Sequence, residues 1–289
     1  NAYPMLTGNR QYNKLDTTYP IIKQFFGTVA LLTYGGKNYV LDATEKYLPF
    51  GMAPYGLLNS RGYVLKDTKT AVWSPIVNEL PNTETINISA SFTNNQKLTG
   101  TITYNTGSYT MSRYQNITPV SNRHGSIRHF FTTQSPDMEV ETISDTLHAT
   151  NGRYTQFVNF TTQPVTDSTG NIYLSLQSVF TPLCYDFTDS TRISDVDFGY
   201  KQKTLTMLRV EIPTGYTPGP LPEPVTISTD DKSIVCMFDT KQIGNTLIMQ
   251  IKVDYNEPVY DRNQYDAFYN FHRHLYKLTG QPVVLYKKQ

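Results

Sequence analysis

Cysteine is almost absent from this chain: 289 residues carry only Cys184 and Cys236. Two sulfurs exclude a disulfide framework, and their wide separation lacks the paired spacing of a zinc site. A single bridge and two buried thiols both stay open, because geometry decides whether the sulfurs meet. An excess of either charge is also missing, since 25 basic residues face 24 acidic ones for a net charge of +1. With no long block of like charge, neither nucleic acid nor an anionic membrane surface is the implied partner. No run of about 18 apolar residues occurs, so no transmembrane segment is expected, and no basic-then-apolar leader opens the chain. Because the chain starts at Asn1 rather than Met, we expect a soluble piece of a longer protein. A phosphate-cradling Gly loop and a Ser nucleophile elbow are lacking too.

What the chain has in abundance is Tyr, 22 of them, with much Thr, Asn and Ser and only 17% charged residues. Most segments alternate with period two and are rich in Thr, Val, Ile, Tyr and Phe, the signature of half-buried strands. Strands are predicted over residues 28–33, 38–42, 85–92, 98–105, 138–144, 154–162, 171–180, 204–212, 233–239 and 246–254. Turn residues separate them: Gly35-Gly36, Asn94-Asn95, Ser168-Thr169-Gly170, Asp230-Asp231 and Gly244-Asn245. One long helix is predicted, with Asp261 and Gln264 as its capping pair and Gly280 and Pro282 as its stop. A shorter one is predicted over 122–133 with Ser121 as its cap. The Pro-dense segment 213–224 should run extended between strands.

The stretch YVLDATEKYLPFG, 39–51, places a carboxylate, Asp42, directly after an apolar strand. If Gly35-Gly36 forms a two-residue hairpin turn, Tyr34 faces Lys37 and Val29 faces Asp42 by the same count. Residue 27 then points to the same sheet face as Asp42, about 7–8 Å away as a diagonal neighbour. That is the placement of a base and the carboxylate that orients it for a nucleophile. Residue 27, however, is glycine. Asp42 is therefore read mainly as a strand-end acid that bonds the Thr44 hydroxyl or nearby backbone N–H groups.

Other polar groups are weaker candidates. His272 and His274 stand two apart on a helix and point away from each other, unlike the i,i+4 pair of a metal site. His124 and His129, with Arg123 and Arg128, suit a solvated helix face better than an anion site. Asp186, Asp189, Asp195 and Asp197 share one loop without the glycine and distal Glu of a calcium loop, so turn and cap roles are expected. No cofactor and no metal is predicted.

Several motifs together resemble bacterial transglutaminase-like proteins. They are NAYPML at 1–6, YP at 19–20, QF at 24–25, GKNYVLDAT at 36–44, PFG at 49–51, LN at 58–59 and Gly62. Toward the other end they are Arg192, FGY at 198–200, IP at 212–213, GY at 215–216, LP at 221–222, Tyr260, Tyr265 and VVLYKK at 283–288. The resemblance implies a multi-domain exported protein, periplasmic or extracellular, with a papain-like core flanked by β-sandwich domains of unknown function. It gives Asp42 the acidic place in a Cys-His-Asp triad. The family's histidine, about fifteen residues earlier after a Phe-Asn pair, falls on Gly27, with Phe26 at the Asn position. The family's cysteine opens a helix that would lie before Asn1.

The expected fold is mainly β: an antiparallel β-sandwich with a C-terminal helix, preceded by a β-hairpin segment from a transglutaminase-like core. Residues 1–72 are assigned to the trailing half of that core and 73–289 to the sandwich domain. The expected function is that of a non-catalytic scaffold or interaction portion. The alternatives are part of an active Cys-His-Asp enzyme whose cysteine lies upstream, and a carbohydrate-binding sandwich marked by a row of exposed Tyr or Trp. The expected partners are the preceding part of the same protein or a second copy of the chain, and the apolar Phe25, Phe26, Val29 and Leu31 are expected to pack onto the sandwich or onto a second copy.

Overall fold

The computed structural model describes residues 1–289 apart from 13–14, 94–95, 149–152, 181–186, 188 and 289. It is mainly β, with several antiparallel sheets and one long helix near the C-terminus. The chain forms two compact units. The first comprises residues 1–82, 108–116 and 198–201, and the second comprises the rest. A boundary at 72/73 falls within a strand of the first unit, Ala71–Ile76.

The first unit is built on β1 (Ala2–Thr7), β2 (Gly27–Tyr34), β3 (Lys37–Leu41), β4 (Ser60–Leu65) and β5 (Ala71–Ile76), in the order β3-β2-β1-β4-β5. The β2–β3 hairpin turns on Gly35 and Gly36 at φ +58° and +76°, the left-handed region that a two-residue turn demands and glycine enters without strain. Alternation along β2 sends Val29 and Leu31 inward, where they meet Met5, Val40, Val64, Ile76 and the loop residues Met52, Leu57 and Leu58. Helix α1 (Ser108–Gln115) adds Tyr109 to that cluster. Val29 and Leu31 are thus covered by their own unit, not by the sandwich or a second copy as expected. Phe25 packs with Tyr63 and Trp73, while Phe26, 60% exposed, stacks on Tyr12.

In the second unit eight strands form one sheet. They are β6 (Asn82–Phe92), β7 (Leu98–Thr106), β8 (Glu139–His148), β9 (Arg153–Thr162), β13 (Gln202–Glu211), β15 (Val225–Ser228), β16 (Ile234–Ile243) and β17 (Thr246–Tyr255). Their order is β15-β16-β17-β13-β6-β7-β9-β8. Four short strands, β10 (Val165–Thr166), β11 (Ile172–Leu174), β14 (Tyr216–Pro218) and β19 (Val283–Lys287), form a second sheet in the order β10-β11-β19-β14. β12 (Val196–Asp197) pairs with β18 (Val259–Tyr260). The period-two pattern puts Ile86, Ile88, Ile102, Tyr104, Val158, Phe160, Leu208 and Ile251 in the core. Thr, Ser and Asn occupy much of the opposite face.

Helix α2 (Val120–Gln134) packs on β8 and buries Ile127 and Phe131. It starts after Pro119, so Ser121 lies inside it and is not its cap. Helix α3 (Tyr265–Gly280) follows a capping box in which the Asp261 carboxylate accepts from the Asn263 N–H and Gln264 bonds back to the Asp261 N–H. Two further segments differ from expectation. The strand predicted over 171–180 stops at Leu174, because the Ser175 and Ser178 side chains each accept from the other's backbone N–H and close a turn. The Pro-dense 213–224 segment contributes β14, whose Pro218 is tolerated because β14 is an edge strand. No helix among the described residues is long and apolar enough to cross a membrane.

Candidate functional site

The hairpin aligns Tyr34 with Lys37 and ends its ladder at Ala30 opposite Leu41. Asp42 therefore leaves the sheet instead of pairing with Val29. One residue past the ladder its backbone is free to bend, and its side chain captures the chain two residues on. The Asp42 Oδ1 accepts from the Thr44 N–H at 2.9 Å and from the Thr44 hydroxyl at 2.7 Å. This local turn, made by a short carboxylate bonding position i+2, directs 42–45 out of the strand.

Beside it lies a depression of about 200 Å³ whose walls include Leu41, Leu48, Phe50 and Met52. A second carboxylate, Glu45, stands at its edge and accepts from the Ser112 hydroxyl at 3.1 Å. Gly27 is exposed and pairs with Thr7 at the end of β2. A Cβ at residue 27 would meet the Thr7 Oγ1 at 3.6 Å, ordinary contact, so the site is open to a side chain. The segments that form this unit contain neither cysteine nor histidine. Asp42 and Gly27 thus stand without a nucleophile or base from their own unit. Two carboxylates and an apolar wall can hold a turn or accept hydrogen bonds, but they supply no thiolate and no imidazole.

The remaining candidates lie in the second unit. Asp145 of β8, which sequence reasoning missed, gathers three donors: Arg123 Nη1 at 2.9 Å, the Tyr154 hydroxyl at 2.8 Å and His124 Nε2 at 2.8 Å. Arg123 and His124 are therefore both tied to the protein's own acid rather than left open as an anion site. Burial pushes the Asp145 carboxyl up, but the bonds from Arg123, His124 and Tyr154 outweigh it and hold the carboxyl below its ordinary range. No spacing rule could have found Asp145, since it meets α2 from a strand over twenty residues away. His129 is exposed.

His272 is buried and His274 exposed. The Phe268 carbonyl can only accept, so His272 Nδ1–H donates to it at 2.8 Å. Nε2 then accepts from the Tyr255 hydroxyl at 2.9 Å. Burial lowers the His272 pKa to about 4, keeping the ring neutral. Cys236 is fully buried, which pushes its thiol up to about 12 and leaves it inert near neutrality. Cys184 lies outside the described residues, as does Asp186. Asp189 accepts from the Tyr265 hydroxyl through its carbonyl, and Asp195 accepts from the Arg262 N–H. Among the described residues no group of three potential metal ligands comes together.

A family described as a domain of unknown function with a solved structure (DUF3858) matches residues 170–285. No curated protein matches the chain. Among solved structures, a "putative protease" from Parabacteroides distasonis overlaps it with a TM-score of 0.48 at 11% identity. That overlap covers 98% of this chain and 40% of the other protein.

Proposed function

We propose that this chain is a non-catalytic scaffold and interaction portion of an exported transglutaminase-like protein. The observation that carries the reading is the state of Asp42: its carboxylate is engaged by Thr44, in a unit whose own segments include no Cys and no His. The residue at the histidine position of the resemblance is Gly27, which has no side chain to be oriented. The partner we assign is the preceding part of the same protein, to which the exposed Tyr12, Tyr19, Ile22 and Phe26 offer an apolar surface.

The test is an amine-incorporation and peptide-hydrolysis assay on the isolated chain, beside a thiol-reactive probe. We expect no turnover and no labelling of a native thiol above the unfolded control. Turnover that is abolished by Asp42→Ala would overturn the reading. The same assay on the full-length protein, with and without Asp42→Ala, asks whether upstream residues use this carboxylate, and loss of full-length turnover in the variant would overturn it as well.

A further inference from the structure

We propose that the polar face of the eight-stranded sheet carries a binding site for an uncharged saccharide. This inference does not rest on the scaffold reading above. A depression of about 510 Å³ opens on that face, within the roughly 300–1,000 Å³ of small-ligand clefts. Ala90 of β6 and Gly100 of β7, a cross-strand pair whose Cβ positions alternate to the core face, line its floor through their backbone. There the two backbones run so close that a Cβ on residue 100 would strike the Ser89 carbonyl oxygen.

Around the floor the hydroxyls are held in a directed chain. Ser89, Thr101 and Asn159 stand side by side on β6, β7 and β9. The Thr101 hydroxyl donates to Asn159 Oδ1 at 2.7 Å, and Asn159 Nδ2 donates to the Thr142 hydroxyl at 2.8 Å. Thr101 has spent its proton and presents lone pairs to a ligand hydroxyl. In the next row Thr161 donates to Glu141 Oε1, leaving the other carboxylate oxygen as an acceptor. Glu141 reaches this face through a β-bulge between Val140 and Thr142, the device by which a strand re-aims one side chain. On the other side Arg209 of β13 supplies a planar fork of donors, and neither its side chain nor that of Glu211 has an ion pair or hydrogen bond among the described residues.

Charge and shape then select the ligand. Two carboxylates and one guanidinium disfavour phosphates and other polyanions, whereas acceptors and donors set along one trough suit vicinal hydroxyls. Phe157, 37% exposed and two residues before Asn159 on β9, gives the same face one ring on which a pyranose C–H face can lie. The row of Tyr or Trp looked for in the sequence is absent from this sheet face among the described residues, so recognition rests on hydrogen bonds, with one aromatic contact.

The experiment is an NMR titration of the isotope-labelled chain with cellotriose, xylotriose, maltotriose and chitotriose at millimolar concentration, with inorganic phosphate as the charged comparison. We expect saturable shifts at Thr101, Asn159 and Arg209 with at least one sugar. Arg209→Ala and Glu141→Gln should each weaken that binding about tenfold while leaving the other amide signals in place. Thr101→Ala provides a third, smaller truncation should Arg209→Ala disturb the fold. The proposal fails if no sugar moves these signals, if phosphate alone moves them, or if binding persists undiminished in the variants.

Discussion

Replacing His272 with Gln should remove most of one acid-sensitive step from the protein's stability. The imidazole is only 7% exposed, lies against Phe268 and Phe187 with ring centres 4.2 and 4.9 Å away, and is depressed by burial from 6.5 to about 4. A folded-state pKa below the unfolded one means that the unfolded chain takes up the proton first. The stabilisation is therefore complete above the unfolded value and is lost as pH falls toward the folded one. At 1.36 kcal/mol per pKa unit, the loss reaches about 2 kcal/mol by pH 5 and about 3 kcal/mol near pH 4, then levels off. Gln fills a similar volume and can still bond Tyr255 or the Phe268 carbonyl, but it does not titrate. Urea unfolding of wild type and His272→Gln at pH 7.5, 5 and 4 measures the effect. The stability gap between the two proteins should shrink, or reverse, by these amounts on acidification. Parallel pH profiles would refute the reasoning, as would an NMR titration of His272 with a midpoint at or above 6.5.

Four further substitutions probe the polar interior and the hairpin. Asp145→Asn should cost about 2 kcal/mol in chemical denaturation, because it strands the largely buried Arg123 guanidinium. His124→Gln should cost under about 1 kcal/mol, since that ring is a third exposed. With its folded pKa lowered, Asp145 contributes stability above the ordinary carboxylate range and loses it as pH falls through the depressed value, so Asp145→Asn should flatten the acid limb of the stability curve. Gln156 is fully buried and neither of its amide atoms has a partner among the described residues, so Gln156→Met should raise stability by about 1 kcal/mol, and a loss of stability would show that a bound water satisfies the amide. Gly27→His should change stability by less than about 1 kcal/mol and leave the β2–β3 hairpin intact by NMR, because a Cβ there makes ordinary contact with Thr7 and the position is exposed.

What could be read from the sequence was what is decided within a few residues. The Gly35-Gly36 turn, the Asp261–Gln264 box and the long alternating strands β6, β7, β9, β16 and β17 each carry their own local signal, and each formed. Helix α1 had none: its sequence, SYTMSRYQ, is poor in strong helix formers. It is held instead by Tyr109, whose hydroxyl donates to the Ala53 carbonyl 56 residues away and accepts from Asn78. β1 was hidden by Pro4, which reads as a strand breaker. In the structure Pro4 is accommodated because β4 joins β1 only at Met5–Thr7, so Pro4 lies outside that pairing.

The same distinction governs the two acids that matter most. Asp42 bonds a residue two positions on, so its turn followed from the letters D-A-T. Asp145 bonds partners 21 and 22 residues earlier on a helix, and nothing in its own strand predicts them. A carboxylate that a chain uses locally is visible in sequence, whereas one used across elements becomes visible only when the elements are placed. The saccharide trough is of the second kind, because Ser89, Thr101, Asn159 and Arg209 come from four strands and each alone is an unremarkable surface residue. Their convergence depends on the strand order β13-β6-β7-β9, in which the Arg209 strand, distant in sequence, docks beside β6 and brings the only guanidinium of that lining to a row of hydroxyls.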